Sequence, residues 1–366
     1  MNKKVMLAMS GGVDSSCALL LLKEQGWDVI GVTMHLYDNN DIGIRDKTCC
    51  SLNNVEDAKT VAARFGVPHY VFNFKDKFKA DVIDRFNREY MEGLTPNPCV
   101  DCNKYLKFGA LLERAEELGC SHIATGHYAR IVFDSEKNRY LLKKAKGESG
   151  VNKKDQSYVL YNLTGEQLKH ILFPLGEMEK SEVRRLAEEN GLINSRKHDS
   201  QDICFVPDGD YSGFIKRYTG ITPETGDVID KDGNVLGRHN GIINYTIGQR
   251  KGLGIAFGKP MYVIDKNADT NTVTVGENSE LFTDSLIAGE INLIAVQSSQ
   301  LPISCKAKTR YSQEEQPCTV YSEGEEKVRV VFDVPQRAVT KGQRIVFYDE
   351  DTVIGGGVIL YPVIKK

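Results

Sequence analysis

No apolar run in this 366-residue chain approaches the ~18 residues that a membrane-spanning helix needs. The start, MNKKVMLAMSGG, is basic at its tip but apolar only from Val5 to Met9, which is too short for a secretory signal. Gly-x-x-x-x-Gly-Lys-Ser/Thr does not occur, excluding a Walker-type phosphate loop, and no Gly-x-Gly-x-x-Gly follows a strand pattern. Neither charge sign is in excess: 47 Lys plus Arg oppose 50 Asp plus Glu, for a net charge of −3. Composition therefore carries no footprint of a nucleic-acid binder, and any such binding must come from local patches. There is no fixed-period repeat and no low-complexity tract. What remains is 41% apolar and 27% charged residues, ordinary for a soluble chain long enough for two or three domains. Nine cysteines, an odd number, without a signal segment read as reduced thiols of a cytoplasmic protein.

Residues 1–208 alternate short apolar runs (Val5–Met9, Val29–Met34, Val71–Phe74, His122–Thr125) with helical patterns at 15–25, 54–65, 76–92, 103–118 and 179–190. Gly26, Gly66, Gly119 and Gly191 follow four of these where helices commonly stop. Such alternation predicts an α/β domain with a parallel sheet covered on both faces. The texture changes near Val206-Pro207-Asp208-Gly209. A small, mostly β middle domain is expected over 209–282, and a C-terminal β-barrel over 283–366, with strands at Lys327–Val334, Gln343–Tyr348 and Thr352–Leu360.

Ser10-Gly11-Gly12-Val13-Asp14-Ser15-Ser16 directly follows the first strand pattern and opens a helix. Two glycines allow a tight turn and close approach of a ligand. The free amides of the loop and helix start then point at an anion, and Ser10, Ser15 and Ser16 can add hydroxyl donors. Asp14 would repel a bare phosphate, but it suits a Mg²⁺ lying between them. The alternative is an ordinary capped strand-to-helix turn. A second patch, with Arg139, Lys143, Lys144, Lys146, Lys153 and Lys154 against only Glu148 and Asp155, reads equally as a solvated loop or as a polyanion contact.

Thr95-Pro96-Asn97-Pro98-Cys99-Val100-Asp101-Cys102-Asn103-Lys104 is a rigid turn running into Cys-x-x-Cys at the start of a helix. A helix start and a nearby Lys104 favour thiolate at Cys102. Three readings compete: a zinc site, which lacks a second well-spaced pair because Cys49 and Cys50 are adjacent; a redox pair; and a catalytic thiol beside a nucleotide. Asp199-Ser200-Gln201-Asp202-Ile203-Cys204-Phe205 offers a second thiol in a polar loop, although a lone Cys between apolar neighbours is often core filler.

The Ser-Gly-Gly-Val-Asp-Ser loop resembles the PP-loop of the N-type ATP pyrophosphatase superfamily. Several segments together resemble the bacterial tRNA-specific 2-thiouridylase family of the MnmA type. These are Ala8–Ser15, Gly31–Met34, Thr95–Pro98, Cys102–Lys104, Ala124–Arg130, Lys154–Tyr158, Ile203–Phe205 and Tyr245–Leu253, spanning nearly the whole chain in one order. The resemblance implies an ATP-dependent tRNA-uridine 2-sulfurtransferase acting on the wobble uridine (position 34) of tRNAs for Lys, Glu and Gln. It implies ATP on Ala8, Met9, Ser10, Gly11, Gly12, Val13, Asp14 and Ser15, with Met34 and Gly126 at the adenosine end and Mg²⁺ accompanying ATP. Cys204 is implied as the persulfide carrier, charged by a cysteine desulfurase or a sulfur-relay protein. Cys102 is implied as the nucleophile that frees the sulfur and leaves a transient Cys102–Cys204 disulfide. It further implies tRNA contacts at Asn97, Pro98, Cys99, His127, Lys154, Asp155, Gln156, Arg310, Tyr311 and Gln343. Without the resemblance, Arg310-Tyr311 reads as a cross-strand pair and Gln343 as a turn residue.

Many members of this family carry Asp where this chain has Cys99, so a general base there is not expected. A third thiol opens an alternative, an iron–sulfur cluster on Cys99, Cys102 and Cys204. Two other functions compete: a different PP-loop ligase, which has no use for Cys102 or Cys204, and an RNA-binding module whose nucleotide loop is vestigial. Gly248–Gly254 does not precede a helix pattern and is expected to be a hairpin. Gly355-Gly356-Gly357 is expected to be a bulge or a close packing point.

Overall fold

The computed structural model describes residues 3–38, 52–148, 150–195, 197, 202–324 and 326–363. Cys49 and Cys50, and residues 199–201 of the second cysteine segment, lie outside this set. The chain divides into two compact units: 3–83 with 98–210 and 351–353, and 84–97 with 211–350 and 354–363.

The first unit holds β1 (Lys4–Ala8), α1 (Val13–Glu24), β2 (Asp28–His35), α2 (Leu52–Arg64), β3 (His69–Asn73), α3 (Lys75–Phe78) and a π-helical segment over Lys79–Asp84. After α4 (Arg85–Met91), it continues with α5 (Pro98–Asp101), a π-helical run Cys102–Ala110, α6 (Leu111–Glu117), β4 (His122–Ala124) and the hairpin β5 (Ala129–Asp134)–β6 (Arg139–Lys144). The short pair β7 (Lys146–Gly147)–β8 (Gly150–Val151), α7 (Gly165–Leu168), β9 (Ile171–Leu172) and α8 (Lys180–Glu189) complete it.

Its sheet is parallel, in the order β3-β2-β1-β4-β9. Val5, Met6 and Leu7 of the central strand are fully buried. This is why β1 reads as a continuous apolar run and not an alternating one: both faces are covered. Each such side chain contributes about 1.5–3 kcal/mol of burial. The strand order reverses at β1, so the crevice beyond the carboxyl ends of β1 and β4 is the place where open α/β sheets take ligands. The expected stops at Gly26, Gly66, Gly119 and Gly191 all have positive φ, between 58° and 76°.

The two longest helical patterns are not uniform. The 76–92 pattern resolves into α3, the π segment and α4, and the 103–118 pattern starts earlier, at Pro98. Proline suits a first helical position because its missing N–H would have had no partner there. Cys99 is therefore in the first turn, and Cys102 stands one turn further in, beyond the strongest reach of the helix dipole.

In the second unit, α4 and α9 (Tyr211–Thr219) share an aromatic cluster of Phe86, Tyr90, Tyr211 and Phe214. A four-stranded sheet, β11 (Val235–His239)-β10 (Gly226–Ile229)-β13 (Thr272–Gly276)-β12 (Tyr262–Asn267), follows. The expected hairpin at 248–254 is absent. Those residues form bends, and Gly248 and Gln249 exchange backbone hydrogen bonds with Val263 at 2.8 and 2.9 Å.

Six antiparallel strands close a barrel in the order β14 (Phe282–Leu293)-β17 (Val328–Arg337)-β16 (Gln316–Ser322)-β15 (Ile303–Lys308)-β18 (Arg344–Asp349)-β19 (Thr352–Val363), with β19 returning to β14. Leu286, Val320, Val330, Ile345 and Phe347 fill it. Gly355 and Gly357 mark close packing: a Cβ on Gly357 would lie 2.7 Å from the Gly289 carbonyl of β14.

Candidate nucleotide and thiol site

The loop between β1 and α1 is braced from several sides. Gly11 has φ +71°, and a side chain there would collide with the Asn54 backbone. On the other side, a Cβ on Gly126, just past β4, would lie 2.9 Å from both the Asp14 carbonyl carbon and the Ser15 nitrogen. Gly11 thus lets the loop approach the backbone of α2, and Gly126 lets the end of β4 approach the loop. Ser15 and Ser16 are buried and donate to the Gly12 carbonyl, each at 3.1 Å. Their hydroxyls brace the loop and are not aimed outward as the sequence reading expected, because the helix start supplies an acceptor within their reach. Ser10 is exposed, and its amide hydrogen-bonds Ser15 Oγ at 3.3 Å.

Asp14 is held by two partners, of which only Tyr128 lies in a segment the sequence singled out. Lys180 Nζ, at the first position of α8, reaches both carboxylate oxygens at 2.7 and 2.8 Å. Tyr128 Oη donates to Oδ1 at 2.7 Å, and the Lys180 ammonium lies 5.9 Å from the Tyr128 ring centroid. The Asp14 carboxylate thus faces an ammonium from α8 and a phenol hydroxyl at once. A second cation, Lys197 Nζ, donates to the Gly11 carbonyl at 3.1 Å and pairs with Asp57 at 2.8 Å. Asn194 Nδ2 bridges the Gly11 carbonyl and Ser16 Oγ. No motif spacing marks these residues; only the fold brings 180, 194 and 197 to residues 11–16. Cys17, next to the loop, donates to the Val183 carbonyl, and burial followed by the Asp14 charge pushes its thiol up to about 12.

The remaining sequence-predicted residues divide by exposure. Met34 lies near the carboxyl end of β2, opposite Phe72. His127 is buried, between Phe108 and Phe173, with Nδ1 2.7 Å from Thr125 Oγ1. Desolvation holds it well below the ordinary histidine range and therefore neutral. Its imidazole packs where the sequence reading expected it to face RNA. Asp155 accepts from the amides of Ala145 and Ser157 and from Ser157 Oγ. Gln156 exchanges hydrogen bonds with the Tyr128 backbone, its Oε1 accepting from the amide at 2.9 Å and its amide donating to the carbonyl at 2.8 Å.

Lys146, Lys153 and Lys154 are exposed, whereas Lys143 is paired with Asp351 at 2.8 Å and Lys144 is buried. The basic loop is therefore narrower than its composition suggested. Arg310 caps the carbonyls of Arg337 and Ala338 from a turn and does not sit in a cross-strand pair. Tyr311 is exposed beside it. Gln343 lies in the turn before β18, its amide 3.3 Å from the Thr340 carbonyl.

Of the thiols, Cys99 is exposed, Cys102 buried and Cys204 half-buried. Next to Cys102, Asn103 Nδ2 donates to the Val159 carbonyl at 2.9 Å. Lys104 turns its ammonium over the Tyr105 ring, 5.1 Å from the centroid. Cys204 is pinned through its carbonyl by Tyr37 Oη at 2.7 Å. The adjacent Phe205 stacks edge-on against Phe78 of α3, and α3 packs on the helical run that Cys102 begins. Among the described residues no group of three or more His, Cys, Asp or Glu is arranged to hold a metal ion. No described helix is long and apolar enough to cross a membrane.

Residues 3–208 match the family described as tRNA methyl transferase HUP domain. Residues 212–277 match the tRNA methyl transferase PRC-barrel domain, and 283–359 the aminomethyltransferase beta-barrel domain. The chain is 53% identical over 359 residues to the tRNA-specific 2-thiouridylase MnmA of Clostridioides difficile, covering 98% of each chain. It is 52% identical over 360 residues to that of Acetivibrio thermocellus, covering 98% of this chain and 99% of the relative. To that of Clostridium acetobutylicum it is 53% identical over 360 residues, covering 98% and 100%. With a nucleotide loop, paired thiol segments and a β appendage matched from end to end, this chain belongs to the tRNA-specific 2-thiouridylase family.

Proposed function

We propose that this protein is an ATP-dependent tRNA-uridine 2-sulfurtransferase that thiolates C2 of the wobble uridine (position 34) in tRNAs for Lys, Glu and Gln in the cytoplasm. The observation that carries the reading is the braced loop at the β1–β4 crevice together with full-length relatives that bear this name. The three domains are proposed as 1–208, 209–282 and 283–366.

ATP lies on Ala8–Ser15, with its adenosine end toward Met34 and Gly126. The uridine O2 attacks the α-phosphorus, pyrophosphate leaves, and an adenylated C2–O bond results. A uracil carbonyl does not surrender its oxygen unaided, and AMP makes it a leaving group. Mg²⁺, which needs only one or two protein carboxylates beside substrate phosphates, would be held by Asp14 and would supply charge neutralisation at the leaving pyrophosphate. Lys180 positions Asp14 and adds positive charge to the site, while Tyr128 fixes the carboxylate's orientation.

Cys204 carries the incoming sulfur as a persulfide loaded by a cysteine desulfurase or a relay protein. The terminal sulfur becomes bonded to C2 as AMP departs. Cys102 attacks the sulfur of Cys204, giving a Cys102–Cys204 disulfide that a cellular dithiol reduces. Half-burial of Cys204 and anchoring of its carbonyl support this role: the residue is partly exposed while its backbone is fixed. Asn97, Pro98, Cys99, Lys154, Arg310, Tyr311 and Gln343 serve the tRNA, whose unstacked wobble base enters a pocket as single-stranded RNA bases do. Asp155 and Gln156 act by holding the loop that presents Lys154. Nucleoside mass analysis of tRNA from cells lacking this protein tests the reading. Loss of 2-thiouridine derivatives is expected, and an unchanged profile would overturn it.

A further inference from the structure

Cys305 and Cys318 stand directly opposite each other on β15 and β16. Their sulfurs are 3.8 Å apart, and both are free thiols. The catalytic scheme does not use them. Directly opposed antiparallel residues have Cα atoms about 4.5–5.5 Å apart, inside the about 4.4–6.8 Å span of a disulfide. A rotation of the two side chains therefore suffices to bring the sulfurs to bonding distance, without a shift of strand register. The pair is also asymmetric. Cys305 is partly exposed, whereas Cys318 is buried in the barrel among Leu286, Val320 and Phe332. Its hydrogen bond with Cys305 and its burial push the Cys318 thiol far up and hold it protonated.

We propose that Cys305 and Cys318 form a dithiol–disulfide site in the C-terminal barrel, oxidised by small disulfides such as oxidised glutathione. Cys305, as thiolate, attacks one sulfur of the small disulfide. Its S–S bond breaks, one thiolate leaves, and a mixed disulfide stays on Cys305. With Cys305 in the mixed disulfide, the Cys305 thiol contact that chiefly raises Cys318 is gone. Cys318 gives up its proton and attacks the Cys305 sulfur, the S–S bond from Cys305 to the small thiol breaks, the released thiolate takes up the proton, and the intramolecular bond forms. Two protein thiols are oxidised and one small disulfide is reduced to two thiols. The bond would close the base of the β15–β16 connection, which carries Arg310 and Tyr311. Any consequence for tRNA rests on the function proposed above, whereas the disulfide itself is tested without tRNA.

The reduced full-length protein is incubated with oxidised glutathione, blocked with N-ethylmaleimide and mapped by peptide mass spectrometry. The expected product is a direct link between the peptides holding Cys305 and Cys318. Cys318→Ala should stop at glutathione on Cys305, and Cys305→Ser should leave residue 318 unmodified. Brief native alkylation should label Cys305 at least about tenfold faster than Cys318, since reactivity follows thiolate character and exposure. Glutathione persisting on Cys305 of the parent protein, or equal labelling of both thiols, would overturn the proposal. So would links that join only other cysteines.

Discussion

Tyr128 Oη donates a 2.7 Å hydrogen bond to Asp14 Oδ1, while the Tyr128 backbone is gripped on both sides by Gln156. One residue thus joins the nucleotide loop to the segment that presents Lys154. Hydrogen bonds to charged groups contribute about 1.5–3 kcal/mol, so Tyr128→Phe should lower turnover roughly 10- to 100-fold with the fold intact. Asp14→Ala should abolish pyrophosphate release while leaving tRNA affinity within a few-fold. Lys180→Met should fall between the two. Pyrophosphate release and filter binding, measured on the same preparations, separate these outcomes. Asp14→Ala protein that still turns over would remove Asp14 from the chemistry.

The products of ATP should be AMP and pyrophosphate. No Walker lysine is present, and the cations beside the loop, Lys180 and Lys197, arrive from the far side of the sheet's sequence. Chromatography of labelled nucleotide after a single turnover with tRNA decides the point, and ADP with phosphate would refute it.

Binding of tRNA should weaken steeply with salt despite the net charge of −3. Each phosphate contact adds roughly 0.7–0.9 to the log–log slope. Replacing exposed Lys153 and Lys154 by Gln should lower the slope by about one to two, whereas Lys143→Gln should act through stability, since that side chain is tied to Asp351. A parent slope near zero would refute the local-patch argument.

The parallel sheet was legible from the sequence because buried central strands write continuous apolar runs and glycine marks helix ends. The barrel was legible from many short β patterns separated by regular turns. The inner wall of the site was not. Lys180, Asn194 and Lys197 come from a helix and loop more than 160 residues beyond the nucleotide loop, and nothing in local spacing brings them there. The start of the Cys102 helix was misread because a Pro-Asn-Pro run reads as a turn, whereas Pro98 is itself the first helical residue. The burial of His127 was not legible because its motif neighbours line a crevice, while its own side chain turns into the aromatic packing of Phe108 and Phe173.

Lys266 gives a pH prediction with a definite sign. Its side chain is buried, its Nζ has no hydrogen-bond partner among the described residues, and burial lowers its pKa to about 8. The unfolded chain keeps its proton up to the usual ~10.4. Between those values the unfolded state binds more protons, so this residue's contribution makes stability rise with pH and is most unfavourable below 8. Lys266→Met should stabilise the protein at pH 7 by about 1–3 kcal/mol and flatten the rise between pH 8 and 10. Urea unfolding of parent and variant across that range checks it, and parallel curves would show that Lys266 does not titrate there.

The thiols should separate by role. Cys204→Ser should block sulfur loading from a desulfurase yet leave adenylation intact, because the substitution keeps size and leaves the Tyr37 contact, made to the backbone, in place. Cys102→Ser should load sulfur but fail to deliver it. Cys99→Ala should be mild: Cys99 is exposed in the first helical turn, and no carboxylate stands there to be lost. A cluster held by the three cysteines makes the opposite forecast, equal loss in all three variants, since losing one protein ligand weakens the whole site. Radiolabelled sulfur loading, AMP formation and thiouridine yield, measured for each variant in metal-free protein, distinguish a graded pattern from a uniform one. Uniform loss, with iron bound to the parent protein, would replace the persulfide scheme.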